Sequence, residues 1–305
     1  MKDIIWKSER IPRFVLGTAQ LGMDYGIANV RGQPSEKSAC EIIEAALKCG
    51  VNCFDTAQAY GNSEVVLGRA LRYCEAGPDI KIISKLSPKL QPTDSEAVEL
   101  SIRTSCQNLG VEQLWCLMLH RADWLDSWRK GLGQTLCRSK QVGDVMYLGA
   151  SVYTPEDAIR ALEHADIQVI QVPCNLWDQR MLREGVFELA EKKNKLLFVR
   201  SIYLQGLMLL SPEDVAKKLP VAKQASQRWH ELATQYGMSA RQLSISFGLS
   251  LNVPLVIGLE SIQQLNENAR LFQQAPLPAE VIDGIWSKLS PLLNSEIVDP
   301  SLWQN

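Results

Sequence analysis

Eight short apolar segments, each followed by sequence with the pattern of an amphipathic helix, recur along the chain and restrict its fold more than any other feature. Continuous apolar runs of this length are typical of parallel strands buried on both faces. Strands that alternate with helices build α/β folds, and eight such units predict a (β/α)8 TIM barrel. The predicted strands are residues 14–18, 51–54, 80–84, 114–119, 145–149, 169–172, 196–199 and 255–258.

Residues that cap helix ends mark several boundaries between these strands. Ser35 is predicted to begin one helix and either Asp94 or Ser95 to begin another, because short polar side chains bond the free N–H groups of a first turn. Thr154 is predicted to begin a third, since a proline follows it. The tail, residues 276–305, contains one more helical stretch whose position in the fold is not predicted.

The length of 305 residues suits one large α/β domain or two ordinary ones. No linker rich in proline or glycine divides the chain, so we expect a single domain over residues 1–305. A doubly wound open sheet is the alternative fold. The segment from Gly17 to Gly22 counts against it, because its glycines do not have the spacing of a dinucleotide-binding turn.

Charge and cysteine usage exclude several classes of function. The net charge is −2 without blocks of like charge, so neither nucleic acid nor an anionic membrane is expected as a partner. None of the eight cysteines forms a C-x-x-C pair, which favours free thiols in a reducing cytoplasm over disulfides or zinc. No signal peptide or transmembrane run is apparent. We expect a cytoplasmic monomer or weak homo-oligomer without a metal site.

Polar side chains end three successive predicted strands. Asp55, Lys85 and His120 follow the second, third and fourth strands, and Tyr60 lies in the loop after the second. Catalytic residues of such barrels gather at the carboxyl ends of the strands. A phenol beside an ammonium and an imidazole is a suitable proton donor for a carbonyl oxygen. Each residue alone has a common structural role, but their shared position predicts an active site.

The sequence around these residues resembles the aldo-keto reductase family over nearly the whole chain. The resemblance is strongest in residues 54–64, FDTAQAYGNSE, and extends from residues 16–22 through residues 148–151 to Glu267 and Asn268. It implies a (β/α)8 barrel that reduces carbonyl compounds with NADPH or NADH. It also implies that Tyr60 donates the proton. The ammonium of Lys85 would lower the pKa of that phenol, Asp55 would hold Lys85, and His120 would orient the carbonyl.

The resemblance also implies a cofactor site along the top of the barrel. Val152 stands where the family has an asparagine that contacts the nicotinamide carboxamide, and Asn175 is a candidate replacement. Arg200 stands at a position that is often aromatic, where it either stacks on the nicotinamide or pairs with a carboxylate at the rim. The implied cofactor-binding residues are Gly17, Thr18, Ser151, Gln171, Arg200, Ser201, Leu204, Gly206, Leu207, Gly258, Glu260, Gln264, Glu267 and Asn268.

Glu260 and Gln264 stand near positions where members that prefer NADPH carry cationic groups. A carboxylate repels a 2′-phosphate but accepts hydrogen bonds from a ribose hydroxyl, so NADH use is plausible beside NADPH use. A lysine from another loop would restore NADPH binding. Both nucleotides stay open as the cofactor.

Aromatic residues near the strand ends indicate a substrate pocket. Tyr25, Trp124 and Trp177 are the predicted substrate-binding residues, and a sugar aldehyde or keto-sugar is the favoured substrate. Two other functions stay open. A Schiff-base lyase would use Lys85 as its nucleophile. A cofactor-binding redox sensor or auxiliary subunit would bind the same nucleotide with little turnover.

Overall fold

A computed structural model describes residues 3–303 of the chain. An antiparallel hairpin of β1 (Ile4–Trp6) and β2 (Glu9–Ile11) comes first. Glu9 accepts hydrogen bonds from the Trp115 indole (2.8 Å) and the Tyr147 hydroxyl (2.5 Å), both near the amino ends of barrel strands. The hairpin therefore closes the lower end of the barrel. It is not predicted from the sequence, because strands of three residues leave almost no periodic signal.

Eight parallel strands form a closed barrel in the order β10-β3-β4-β5-β6-β7-β8-β9, which confirms the predicted (β/α)8 fold. Apart from the closure between β10 and β3, sequential strands are neighbours throughout. The strands are β3 (Phe14–Gly17), β4 (Cys53–Asp55), β5 (Lys81–Lys85), β6 (Leu114–Leu119), β7 (Val145–Ser151), β8 (Val169–Pro173), β9 (Leu196–Arg200) and β10 (Leu255–Gly258).

Helices surround the barrel. Ser35, Asp94 and Thr154 cap three of them through side-chain oxygens, as predicted, with Asp94 rather than Ser95 in the capping position. The α-helices are α1 (Ala19–Gly22), α2 (Glu36–Lys48), α3 (Ser63–Tyr73), α4 (Ser95–Leu109), α5 (Leu132–Gln141), α6 (Pro155–Glu163), α7 (Arg180–Arg183), α8 (Val186–Lys192), α9 (Pro212–Lys218), α10 (Lys223–Gln235), α11 (Ala240–Ser250), α12 (Ile262–Leu271), α13 (Ala279–Leu289) and α14 (Ser295–Val298).

Short 3₁₀ helices complete the connections. The irregular stretch after β6 is a 3₁₀ helix followed by α5, and Gly131 separates them with a positive φ of 116°. Gly185, with a φ of 73°, likewise breaks the predicted helix after β8 into α7 and α8. The 3₁₀ segments are Ala122–Lys130, Leu207–Leu209, Pro220–Ala222, Ser290–Leu292 and Pro300–Leu302.

The tail packs on the outer layer of helices. α13 contacts α10, and α14 contacts the 3₁₀ segment Pro220–Ala222. Buried Ile285 and Leu289 of α13 belong to the same apolar cluster as the inner faces of the barrel helices. The part of the chain described here contains no helix with the length and apolar character needed to cross a membrane.

Apolar side chains fill the lower half of the barrel interior. A cluster that includes Trp6, Cys53, Trp115, Met118 and Phe198 occupies the space between the hairpin and the upper strand ends. All eight cysteines are free thiols, and Cys53 and Cys116 lie inside this cluster. With the lower end closed, a ligand reaches the barrel axis only from the carboxyl ends of the strands.

Candidate active site

Asp55 and Lys85 form a buried ion pair where β4 and β5 end. The Lys85 ammonium donates to both carboxylate oxygens of Asp55 (2.8 Å each) and to the carbonyl oxygen of Thr56 (2.9 Å). The Gln171 amide on β8 donates a further hydrogen bond to Asp55 (2.7 Å). Every proton of the ammonium therefore has an acceptor, and Lys85 has no free lone pair for attack on a carbonyl.

Tyr60 lies directly over this pair in the turn that follows β4. The Lys85 nitrogen is 5.0 Å from the centre of the phenol ring. The turn is packed so closely on α1 that a side chain at Gly22 would collide with the Tyr60 carbonyl and with Ser63. This close contact between the backbone of α1 and the backbone of the turn thus fixes the position of the Tyr60 ring above the ion pair.

Burial, and next the negative charge of Asp55, raise the pKa of the Tyr60 phenol. The direction is opposite to the one expected from Lys85. The physical reason is that Asp55 compensates the ammonium charge while the ring itself is removed from water. Tyr60 is accordingly a neutral phenol at physiological pH.

His120 completes the group at the end of β6. Its ring meets the Tyr60 ring edge to face, with centroids 5.9 Å apart and planes at 90°. Burial and the nearby charges of Lys85 and Arg200 lower the pKa of His120 to about 4. Nδ1 is buried and has no hydrogen-bond partner within residues 3–303. The side chain is therefore a neutral imidazole, and neither of its ring nitrogens bonds another residue within residues 3–303.

A cavity of about 220 Å³ runs from this group across the top of the barrel. Asp55 and Tyr60 line one end, and Gln264 and Arg241 line the other. Of the predicted cofactor-binding residues, the structure places Gly17, Thr18, Gln171, Arg200, Ser201, Gly206, Gly258, Glu260 and Gln264 on its wall. The predicted catalytic and cofactor-binding residues that do not line the cavity are Lys85, His120, Ser151, Leu204, Leu207, Glu267 and Asn268.

The loop after β9 has a backbone suited to a bound anion. Three non-glycine residues adopt positive φ angles: Ser201 (62°), Leu204 (49°) and Gln205 (53°). Gly206 follows with φ of 89°, and a Cβ there would collide with Ala28 of the loop after β3. The N–H groups of Leu204 and Gly206 donate to the carbonyls of Ser201 (2.8 Å) and Tyr203 (2.9 Å), which leaves those of Ile202, Tyr203 and Gln205 without a backbone acceptor within residues 3–303. Free N–H groups of such a loop can bind an anion, and such strain concentrates at functional sites.

The far end of the cavity contains residues that the sequence reasoning missed. The Tyr203 hydroxyl donates to Asn268 Oδ1 (2.7 Å), and Arg241 on α11 lies 3.2 Å from a carboxylate oxygen of Glu267. Asn268 Nδ2 is buried with no partner within residues 3–303. Arg241 could have been noticed in the sequence, because a cation in the first turn of a helix opposes the helix dipole.

Glu260 lines the same end of the cavity. Its backbone N–H donates to the side-chain oxygen of Gln264 (2.8 Å), and Ser261 caps α12 between them. Burial raises the pKa of the Glu260 carboxyl, and the charge of Arg31 partly opposes that shift. The Glu260 carboxyl and the Arg241 guanidinium therefore both border the cavity, and the charges that act on Glu260 are those of Arg31 and Asp24.

Asn175 does not replace the asparagine that Val152 lacks. Its side-chain oxygen accepts from the backbone of Trp177 (2.8 Å) and Asp178 (2.9 Å), and its amide donates to the Ser201 carbonyl (3.0 Å). The residue is fully buried and holds the loop after β8 against the loop after β9. Both side-chain polar atoms bond the backbone of these two loops, and the full burial of the residue separates it from the cavity.

Of the predicted substrate-binding residues, only Tyr25 lines the cavity. Its ring centroid is 6.4 Å from that of Tyr60. Trp177 is 1% exposed and packs edge to face on Trp229, so its assignment to substrate is wrong. Trp124 is also buried, in the apolar cluster between strands and helices, and is absent from the cavity wall. Burial of a large indole ring in the apolar core is favourable, and the position of a tryptophan after a strand does not show whether its ring turns into the core or into the cavity.

Comparison with known proteins gives one consistent result. The family model described as "Aldo/keto reductase family" matches residues 13–289. An uncharacterized oxidoreductase of Caenorhabditis elegans is 28% identical, with 85% of this chain and 76% of that protein covered. The NADH-specific methylglyoxal reductase of Escherichia coli is 21% identical, with 85% and 89% covered.

The solved structures agree with the fold. The glycerol dehydrogenase of Gluconobacter oxydans superimposes with a TM-score of 0.73 at 21% identity, over 95% of this chain and 96% of that one. At that identity the likeness supports the barrel architecture alone.

Proposed function

Because the chain belongs to the aldo/keto reductase family, we propose that Tyr60 donates the proton in an NAD(P)H-dependent reduction of a carbonyl group. One observation carries this assignment: the phenol ring lies 5.0 Å from the buried Lys85 ammonium and meets the neutral His120 ring edge to face. The reduced nucleotide, when bound, supplies the hydride. Side chains of this chain orient the carbonyl, donate the proton and stabilise the charge.

The side chains handle the charge that develops on the substrate oxygen. The neutral His120 imidazole donates a hydrogen bond that orients the carbonyl and stabilises the growing negative charge. Tyr60 then transfers its proton, because an alkoxide is a stronger base than even a buried phenolate. The Lys85 ammonium lies 5.0 Å from the ring centre, and the part of its charge that Asp55 does not compensate stabilises the phenolate that remains. The raised pKa of Tyr60 keeps the proton in place until that moment.

The cavity wall fits an extended dinucleotide. Gln171 uses its Nε2 on Asp55, which leaves its Oε1 for a carboxamide near the catalytic group. The loop with positive φ at Ser201, Leu204, Gln205 and Gly206 suits a diphosphate, and Asn268 Nδ2 is an unused buried donor at the adenine end. These orphan groups and strained residues cost free energy that a ligand would recover.

Arg241 and Glu260 are proposed to set the nucleotide preference. Arg241 is the cation from another element that NADPH binding requires, and it lines the end of the cavity distant from Tyr60. Glu260 lines the same end and suits a ribose hydroxyl. We propose that both nucleotides bind, with NADPH depending on Arg241 and NADH on Glu260. The relative from Escherichia coli is named as NADH-specific, so NADH use has a precedent among similar proteins.

The test is a turnover assay with each nucleotide against aldehydes, ketones and sugars. Loss of nucleotide absorbance with at least one carbonyl, abolished in Tyr60→Phe, would support the proposal. Tight binding of nucleotide without turnover of any carbonyl would instead favour the redox sensor. Borohydride trapping of a substrate on Lys85 would favour the lyase, which the hydrogen bonds of the ammonium oppose.

A further inference from the structure

Arg200 is a cation at the catalytic end of the cavity that has no acidic partner. It ends β9, opposite Pro173 of β8, and lines the cavity together with Tyr25 and Tyr60. Within residues 3–303 its hydrogen bonds go only to the Val152 carbonyl (3.1 Å) and the Ser201 hydroxyl (3.2 Å). The alternative that it pairs with a carboxylate at the rim therefore does not hold.

The guanidinium is also held in one orientation. It lies 4.3 Å from the centre of the Tyr153 ring, in a cation–π contact. Tyr153 is 43% exposed, so the outer side of this pair is in contact with solvent. Nη1 and Nη2 each donate one hydrogen bond, so Nε–H and one further N–H on each terminal nitrogen have no partner within residues 3–303. These are enough donors for the planar, two-pronged contact that a guanidinium makes with a carboxylate.

The charge balance of this end of the cavity is positive. Lys85 and Asp55 cancel one another, and His120 is neutral at physiological pH. Arg200 is left as the uncompensated charge. It partly opposes the burial that raises the pKa of Tyr25 and Tyr60, and it adds to the burial that lowers the pKa of His120. A positive site with a planar fork of donors favours a carboxylate over a neutral group.

We propose that Arg200 selects carbonyl substrates that carry a carboxylate, such as oxo acids or sugar acids. The proposal rests on the reductase function and adds the chemical class of its substrate. Arg200 binds the carboxylate while the carbonyl faces Tyr60 and His120. A phosphate group would meet the same cation, but the flat fork matches the two coplanar oxygens of a carboxylate.

The experiment compares substrates that differ only in charge. We would measure kcat and KM for 4-formylbenzoate against the isosteric 4-formylbenzamide, and for 4-oxobutanoate against 4-oxobutanamide, with one saturating nucleotide. The carboxylates are expected to have kcat/KM values roughly 10- to 100-fold higher, mostly through KM. Glyceraldehyde 3-phosphate against glyceraldehyde tests the phosphate alternative, and a larger preference there would overturn the carboxylate assignment.

Arg200→Met is the matched variant, since methionine keeps an unbranched apolar side chain. It should remove the preference for carboxylates, measured as the ratio of kcat/KM for each acid to kcat/KM for its matched amide, whatever change it makes in the turnover of the amides. Arg200→Lys should restore part of the preference. An equal loss for charged and neutral substrates, together with weaker nucleotide binding, would show that Arg200 serves the cofactor and would overturn the proposal.

A binding measurement separates this inference from the reductase function. Calorimetry of benzoate and benzamide with the protein–nucleotide complex needs no turnover. Tighter binding of benzoate that is lost in Arg200→Met would support the anion site even if every tested carbonyl failed to react. Turnover of neutral carbonyls without any preference for carboxylates would leave the reductase function intact and overturn only the role of Arg200.

Discussion

Lys85 donates two equal hydrogen bonds of 2.8 Å to the carboxylate of Asp55, and both side chains are almost completely buried at the carboxyl end of the barrel. Gln171 from the opposite side of the barrel binds the same carboxylate. The pair links β4, β5 and β8 beneath the Tyr60 ring. It is both a structural connection across the barrel mouth and the charged base of the proposed active site.

Lys85→Met should destabilise the fold by about 3–5 kcal/mol, because it leaves the Asp55 charge buried without its partner. The free energy of unfolding from urea titration measures this loss. The double variant Asp55→Asn/Lys85→Met should lose less free energy of unfolding than the sum of the losses in the two single variants, since it contains no unpaired buried charge at this site. Lys48→Met removes an exposed pair with Glu44 and is the control expected to show no measurable change. Additive losses in the double variant would contradict the coupling of Asp55 and Lys85.

Tyr60→Phe should lower kcat by about 10²- to 10⁴-fold, the usual contribution of a positioned proton donor. Nucleotide affinity should hardly change, since the phenol hydroxyl makes no hydrogen bond with other residues in the range 3–303. Tyr25→Phe is the matched control, because it removes a phenol hydroxyl from the same cavity at a ring distance of 6.4 Å from Tyr60. Similar kcat losses in the two variants would show that Tyr60 has no special role.

The order of strands and the position of Asp55, Lys85 and His120 could be predicted because both depend on local patterns. Apolar runs mark buried parallel strands, and the residue after each run falls at the same end of the barrel. The pKa of Tyr60 could not be predicted this way. Its direction depends on how deeply the ring is buried and on the compensation of Lys85 by Asp55, which are properties of the assembled site.

The positions of the Arg241 side chain and of two indole rings also could not be predicted from the sequence. Arg241 lies on α11, before the last barrel strand, and reaches the cavity only because α11 packs beside α12. Trp124 and Trp177 follow strands as substrate residues often do, yet both turn into the core. A sequence pattern gives the strand end from which a side chain leaves, but competition between core and cavity decides where the side chain goes.

His120 should make stability depend on pH between about 4 and 6.5. The folded state keeps the imidazole neutral down to its lowered pKa of about 4, whereas the unfolded chain binds the proton near 6.5. The unfolded state thus binds more protons in this window, and the free energy of unfolding falls as the pH falls through it.

Thermal unfolding of His120→Asn beside the wild type measures this contribution. The variant should lose less stability than the wild type between pH 6.5 and pH 4, and the difference between the two should be constant above pH 6.5. The other two histidines are common to both proteins, so they cancel in that difference. Parallel curves through the acid range would contradict the lowered pKa of His120.

Arg241→Gln should raise the Kd for NADPH by roughly tenfold or more and leave the Kd for NADH nearly unchanged. The physical reason is that a guanidinium forms charge-assisted hydrogen bonds with a phosphate, and a shorter neutral amide does not.

Glu260→Gln should have the reverse pattern, with weaker NADH binding, and Glu260→Lys should shift the preference toward NADPH. Quenching of tryptophan fluorescence by each nucleotide gives all of these constants without a substrate. Added salt should weaken NADPH binding more than NADH binding in the wild type and reduce that difference in Arg241→Gln. Equal effects of Arg241→Gln on the Kd values of both nucleotides would show that the guanidinium does not contact the 2′-phosphate. Its position would then be explained by the ion pair with Glu267 at 3.2 Å.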